Sequence, residues 1–176
     1  MRNVLMSLAV IGISGVMLLG QAQAKETAVP LDKLPKAVTE AVKKMFPKAE
    51  LRKATQEKDD GETEYEVTIK NEGKMIDVTV DADGDIEGLE KEVDLKDLPK
   101  AVKEAVKEAV SKAYPKAVQK SAEAVYEIED GKEELKYYEI RVKAEDGKEV
   151  EVKVKTDGTL VTDADDDDGG KAEPKK

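Results

Sequence analysis

The sequence contains no histidine, no cysteine and no tryptophan, and only one phenylalanine. Without His or Cys, the commonest general base, the usual nucleophile pairs and the usual zinc ligands are all missing. No disulfide can form, so packing alone must hold the fold. Aromatic residues are 3% of the chain, which leaves Val, Ile, Leu, Ala and a few Tyr to build the core. No glycine-rich phosphate loop occurs. Together these absences argue against an enzyme.

Long apolar runs are equally scarce. The one that stands out, Val4 to Leu19, is free of charge and follows Arg2. It ends in Gly20-Gln21-Ala22-Gln23-Ala24, where Ala22-x-Ala24 fits the small-residue rule for signal peptidase. A membrane-spanning helix needs ~20 apolar residues, and this run is shorter and interrupted by Gly12, Ser14 and Gly15. The pattern predicts a signal peptide over residues 1–24. It also predicts a mature chain that starts at Lys25, does not insert in a membrane after cleavage, and is periplasmic or secreted in a bacterium. No Cys follows the run to carry a lipid.

Charge, by contrast, is abundant: 40% of residues carry one, and the net charge is -10. Removing residues 1–24 deletes only Arg2 and makes the chain one unit more acidic. Such a surface repels phosphate backbones and anionic headgroups. Nucleic acid and membrane surfaces are therefore poor partners, and a basic protein surface or a cation is the natural complement.

Internal repetition decides the fold class. Leu34-Pro35-Lys36-Ala37-Val38 recurs as Leu98-Pro99-Lys100-Ala101-Val102, and Phe46-Pro47-Lys48-Ala49 as Tyr114-Pro115-Lys116-Ala117. The second copy is longer between these anchors by about one helical turn, which keeps the same helix face inward. Tyr65-Glu66-Val67-Thr68-Ile69 matches Tyr138-Glu139-Ile140-Arg141-Val142. Gly73 to Val80 matches Gly147 to Val154, and Asp83-Gly84-Asp85-Ile86 matches Asp157-Gly158-Thr159-Leu160. All the anchors keep their order.

Leu34, Val38, Ala41, Val42 and Met45 follow helical spacing, as do Leu98, Val102, Ala105, Val106, Ala109 and Val110. Pro35 and Pro99 suit a helix start, whereas Pro47 and Pro115 stop the helix before them. The period then becomes two. Tyr65, Val67 and Ile69 share one strand face, and Glu64, Glu66 and Thr68 the other. Asp59-Asp60-Gly61, Asn71-Glu72-Gly73 and Asp83-Gly84 mark turns. Further strands are expected near Leu51 to Glu57 and near Ile86 to Val93.

The expected fold is α+β: two tandem α-β4 repeats, each one helix packed on an antiparallel sheet whose other face is charged and solvated. The repeats occupy 25–93 and 94–162, and a disordered acidic tail occupies 163–176. A unit of ~60 residues buries a modest share of its surface, so the two are expected to pack or pair edge to edge.

A helix opening on Leu-Pro, an aromatic-Pro-x-Ala step, a Tyr-Glu-Val strand and a Gly-turned hairpin resemble the PepSY and PepSY-like domains. These domains include the β-lactamase-inhibitor-like proteins of bacterial envelopes. The resemblance runs from Leu31 to about Val161. It implies a tandem helix-and-sheet fold, a binding or inhibitory role, and no catalytic residues. The chain departs from the pattern in lacking a Trp near the last hairpin.

Three features bear on binding. Asp81, Asp83 and Asp85 alternate, with Glu92 at the twelfth position, as in a calcium loop. Such a loop needs Gly at its sixth position, which here is Ile86, so an Asp-Gly hairpin turn is the preferred reading. The Asp163–Asp168 run reads as a solubilising tail, with weak calcium binding as the sharper alternative. In the strand after Lys136, Tyr138, Ile140 and Val142 should face the helix, leaving Tyr137, Glu139 and Arg141 on the open face as candidate partner-binding residues.

The first functional reading is a non-enzymatic PepSY-like binding module that inhibits or regulates an extracytoplasmic protease or other envelope enzyme. Its expected partner is an extracytoplasmic protein, and no cofactor is expected, with weak Ca2+ binding left open. The second reading is an acidic calcium-binding envelope protein, and the third a structural or sensory one.

Overall fold

The helical spacing is realised twice. A computed structural model describes residues 26–59, 62–114 and 116–161. The signal peptide expected over 1–24, the Asp163–Asp168 run, Pro115 and the tip of the Asp59-Asp60-Gly61 turn lie outside the described residues.

Helix α1 spans Lys36–Met45 and α2 spans Lys100–Ala113. They are 10 and 14 residues long, so the extra turn of the second copy sits inside its helix. Pro35 and Pro99 stand directly before the first helical residue of each. Their carbonyls accept the first helical hydrogen bonds, from Thr39 N and Lys103 N. Each helix closes on an aromatic residue: Phe46 N donates to Val42 O at 2.8 Å, and Tyr114 N to Val110 O at 2.7 Å. Pro47 follows Phe46 and blocks further helical geometry.

Strands β1 (Thr27–Ala28), β2 (Glu50–Asp59), β3 (Glu62–Asn71), β4 (Lys74–Asp81) and β5 (Ile86–Val93) precede α2. Strands β6 (Val118–Glu129), β7 (Lys132–Lys143) and β8 (Glu149–Val154) follow it. All eight form one antiparallel sheet in sequence order. The two halves meet where β5 pairs β6, from Gly88 opposite Glu127 to Val93 opposite Ala122. Edge pairing of the halves, expected from their small size, is therefore how the sheet becomes continuous.

The architecture departs from two equal α-β4 units. The counterpart of β5 after β8 is reduced, among the described residues, to a single bridge between Val154 and Leu160. The sequence explains this. Ile86–Val93 carries Ile86, Leu89 and Val93, whereas Leu160 and Val161 run straight into the aspartates. The short β1, which lies on β2, was not anticipated.

Each helix has its own core. Val38 and Val42 of α1 are fully buried against Val67, Ile69, Val78, Val80 and Leu89. Val102 and Val106 of α2 pack with Ala122, Ile140, Val142, Val152 and Val154. Burying one such side chain is worth about 1.5–3 kcal/mol, so the helices are held by this apolar stripe. Tyr126 and Ile128 of β6 reach back into the first core. Val93 of β5 reaches forward into the second.

Two turns lock the helices to the sheet. Glu72-Gly73 and Asp130-Gly131 are ordinary two-residue hairpin tips with positive φ at both positions. Gly84 is different: its φ is +95°, and a Cβ there would lie 3.0 Å from the Ala37 carbonyl oxygen. Gly158 repeats this against Ala101 at 3.1 Å. The turn after β4 or β8 thus seats on the first turn of its helix. Gly84→Ala is expected to lower the unfolding free energy by about 2 kcal/mol or more, because strain and backbone collision add. Gly73→Ala, with open space around it, should cost about 1 kcal/mol. Urea unfolding of the two variants checks this, and equal losses would show that the helix contact at Gly84 contributes nothing.

Candidate functional site

Period-2 alternation sends the apolar residues of β3 to β8 toward the helices and their charged neighbours to the opposite, helix-free face. Register then aligns those neighbours across strands. Asp77 pairs with Glu90, Glu92 with Glu123, Glu123 with Glu139, and Glu139 with Lys153. Like charges placed directly opposite each other destabilise a sheet, and three of these four pairs are acidic.

The centre of this face is not the solvated surface that the charge pattern suggests. Glu139 is 4% exposed and Lys153 6% exposed, although no described helix covers them. Their ion pair spans 3.2 Å, and the Lys153 ammonium also lies 5.1 Å from the centre of the Tyr137 ring. Glu139 Oε1, Lys153 Nζ and Asp77 Oδ1 are buried; the first two meet in that ion pair, and no described residue completes a hydrogen bond with the third. One carboxylate oxygen from each of Glu90, Glu123 and Glu139 lies within 4.8 Å of the others. Glu90 comes from the first half of the chain and the other two from the second, so the β5–β6 seam creates the cluster.

Desolvation governs the protonation of these groups. Burial, reinforced by Glu139 and Glu123, pushes the Glu90 carboxyl up to about 8. Burial and the Asp77 charge push Glu66, on β3, up to about 7. Glu123 is raised by burial against the pull of Arg141. Glu139 is raised by burial and by Glu151, against the pull of Lys153. A cluster of this kind holds protons at neutral pH or takes up another cation.

The three residues picked from sequence do share this face, but they play different parts. Tyr137 is half-buried beside Lys153, so the exposed ring expected there is not found. Glu139 is buried in the cluster. Arg141 is exposed, with its guanidinium 3.9 Å from Glu151. Period two tells which face a residue takes but not how deeply it sits, and that is why Glu90, Glu123 and Lys153 were missed. The signal available for them was the run of acidic positions on strands flanking the seam.

The aspartate ladder is drawn into a turn. The buried Asp81 accepts hydrogen bonds at Oδ1 from Asp83 N and Asp85 N, both at 2.9 Å, while Asp83 and Asp85 are exposed. The second copy keeps a lesser version, with Thr159 N donating to Asp157 Oδ1.

These geometries fix the pH response. A carboxyl with a raised pKa binds more protons folded than unfolded. Its contribution is therefore fully present below about 4.5 and is lost as pH rises through about 8. The charges acting on Glu90 are Glu139, Glu123, Glu66 and Asp77, all acidic. Thermal unfolding should show Glu90→Gln stabilised over wild type at pH 8.5 by on the order of 2 kcal/mol, with the gap closing toward pH 5. A gap independent of pH would refute the desolvated site. Lys153→Met removes the counter-charge of Glu139, which can then protonate. It should cost about 3 kcal/mol at pH 8 and clearly less at pH 6.

The family model described as "Putative beta-lactamase-inhibitor-like, PepSY-like" matches twice, over residues 21–88 and 76–162. No curated protein matches the chain. Among solved structures, a DUF2874 family protein from Bacteroides uniformis is 16% identical, covering 73% of this chain and 86% of its own, with a TM-score of 0.56. A DUF2874 family protein from Bacteroides ovatus is 23% identical over 73% and 84%, with a TM-score of 0.53. A third, described as periplasmic, comes from Bacteroides eggerthii and is 18% identical over 73% and 86%, with a TM-score of 0.56. The structural likenesses establish a shared fold, and the two family matches span most of the sequence: the chain belongs to the PepSY-like family.

Proposed function

We propose that this chain is a non-enzymatic, exported binding module that regulates or inhibits an extracytoplasmic enzyme, such as a protease, by covering part of its surface. The observation that carries the reading is the helix-free face of the eight-stranded sheet. Both helices pack on the other side, so a broad face built from strands of both halves is left for a partner. Arg141 stands exposed on β7, on the same face as the half-buried Tyr137 four residues earlier. An aromatic and an Arg on one partly desolvated sheet face are residue types that interface hot spots favour.

Export is supported by the signal-like N-terminal sequence and by the periplasmic description of the Bacteroides eggerthii protein. Among the described residues no helix is long and apolar enough to cross a membrane. The lack of His and Cys favours occlusion over chemistry. Family membership points the same way through its inhibitor-like description.

The test compares faces. Wild-type chain, an open-face variant (Arg141→Glu) and a helix-side variant (Lys43→Glu) serve as baits against envelope proteins, with mass-spectrometric readout. A partner should be retained by wild type and Lys43→Glu but weakened about tenfold or more by Arg141→Glu. Retention by Arg141→Glu together with loss by Lys43→Glu would place binding on the helices and sink the proposal.

A further inference from the structure

We infer that the Glu90, Glu123 and Glu139 cluster is a receptor for a primary ammonium group, contributed by a lysine side chain that a protein partner lays on the open sheet face. This rests on the binding-module reading and specifies the partner's chemistry.

Charge complementarity is the first argument. The face aligns Asp77 with Glu90 and Glu123 with both Glu92 and Glu139. Lys153 is the buried cation among them. Geometry is the second argument. A primary ammonium donates three hydrogen bonds, and tetrahedral contacts of about 2.8 Å set its acceptors about 4.6 Å apart. The three carboxylates offer oxygens within 4.8 Å of one another.

Lys153 supplies an independent observation. It shows the face already accepting an alkylammonium, nearly sealed from water, with Nζ 3.2 Å from Glu139 and over the Tyr137 ring. The two groups are each other's partner in that contact, and Nζ has further donor capacity beyond it. Glu90 and Glu123 lie beside that pair, with carboxylate oxygens placed for a second ammonium. Because burial favours the protonated carboxyls here, the incoming lysine takes the place of bound protons.

The test uses the exported chain and a defined probe, the peptide acetyl-Gly-Gly-Lys-Gly-Gly-amide. Its counterpart carries acetyl-lysine, and calcium chloride forms a third arm. Titration calorimetry at pH 7 in two buffers of different ionisation enthalpy reads affinity and proton release. The expected result is saturable binding of the lysine peptide with proton release. The Glu90→Gln/Glu123→Gln variant should weaken it about tenfold or more, whereas Glu40→Gln on α1 should leave it unchanged. Circular dichroism confirms that each variant is folded. Equal binding of the acetylated peptide overturns the inference. So does calcium binding that the double variant abolishes while the lysine peptide fails to bind, since the cluster is then a metal site. If the peptide does not bind yet Arg141→Glu still loses a captured partner, the lysine receptor falls and the binding module stands.

Discussion

The antiparallel ladder between β5 and β6 is the interaction on which the rest of the molecule depends. Each half buries one helix on three or four strands, a core small enough to be marginal alone. Pairing Gly88–Val93 with Ala122–Glu127 joins the halves into one sheet. Side chains then cross the seam in both directions, Tyr126 and Ile128 into the first core and Val93 into the second. The same ladder sets Glu90 within reach of Glu123 and Glu139. A slip by one residue would send Leu89 to the open face and Glu90 into the core, so the apolar cores fix the register of the acidic cluster.

This division explains what was legible in the sequence. The helices, their stops and the turns are set by local chemistry: Pro beside Leu34 and Leu98, Pro47 after Phe46, glycine where φ is positive. Those signals read correctly, and so did β5, from Ile86 to Val93. The turn at the aspartate ladder was also readable, from Asp83-Gly84. In the structure the Asp81 carboxylate accepts from two backbone amides of that turn.

What remained hidden was long-range. Alternation assigns Glu139 to the face opposite Ile140, but a residue on a helix-free face is ordinarily wet. Whether it is buried depends on its cross-strand neighbours, here Glu123 and Lys153, whose identity follows only from strand order and register. Strand count failed for a related reason. A repeat detected by its anchors says nothing about residues beyond the last anchor, and after Leu160 the apolar alternation that built β5 is gone.

The charges of this protein thus fall into two populations with different physics. Pairs such as Lys36–Glu40 and Lys100–Glu104 lie on the wet helix surfaces, where an ion pair contributes little to stability. Their collective effect, with the net charge of -10, is a field that attracts cationic surfaces and weakens with salt. The carboxylates at the sheet centre are desolvated, so each contact there is strong and each unmatched charge is costly. Steering alone would make any basic surface a partner. In the proposed lysine receptor the central cluster would add a demand for one cationic group at one place, since a mispositioned lysine would leave the carboxyls protonated. For a basic partner of the kind proposed, mutations among surface charges would then act mainly on the rate of association, and mutations at the seam on the lifetime of the complex.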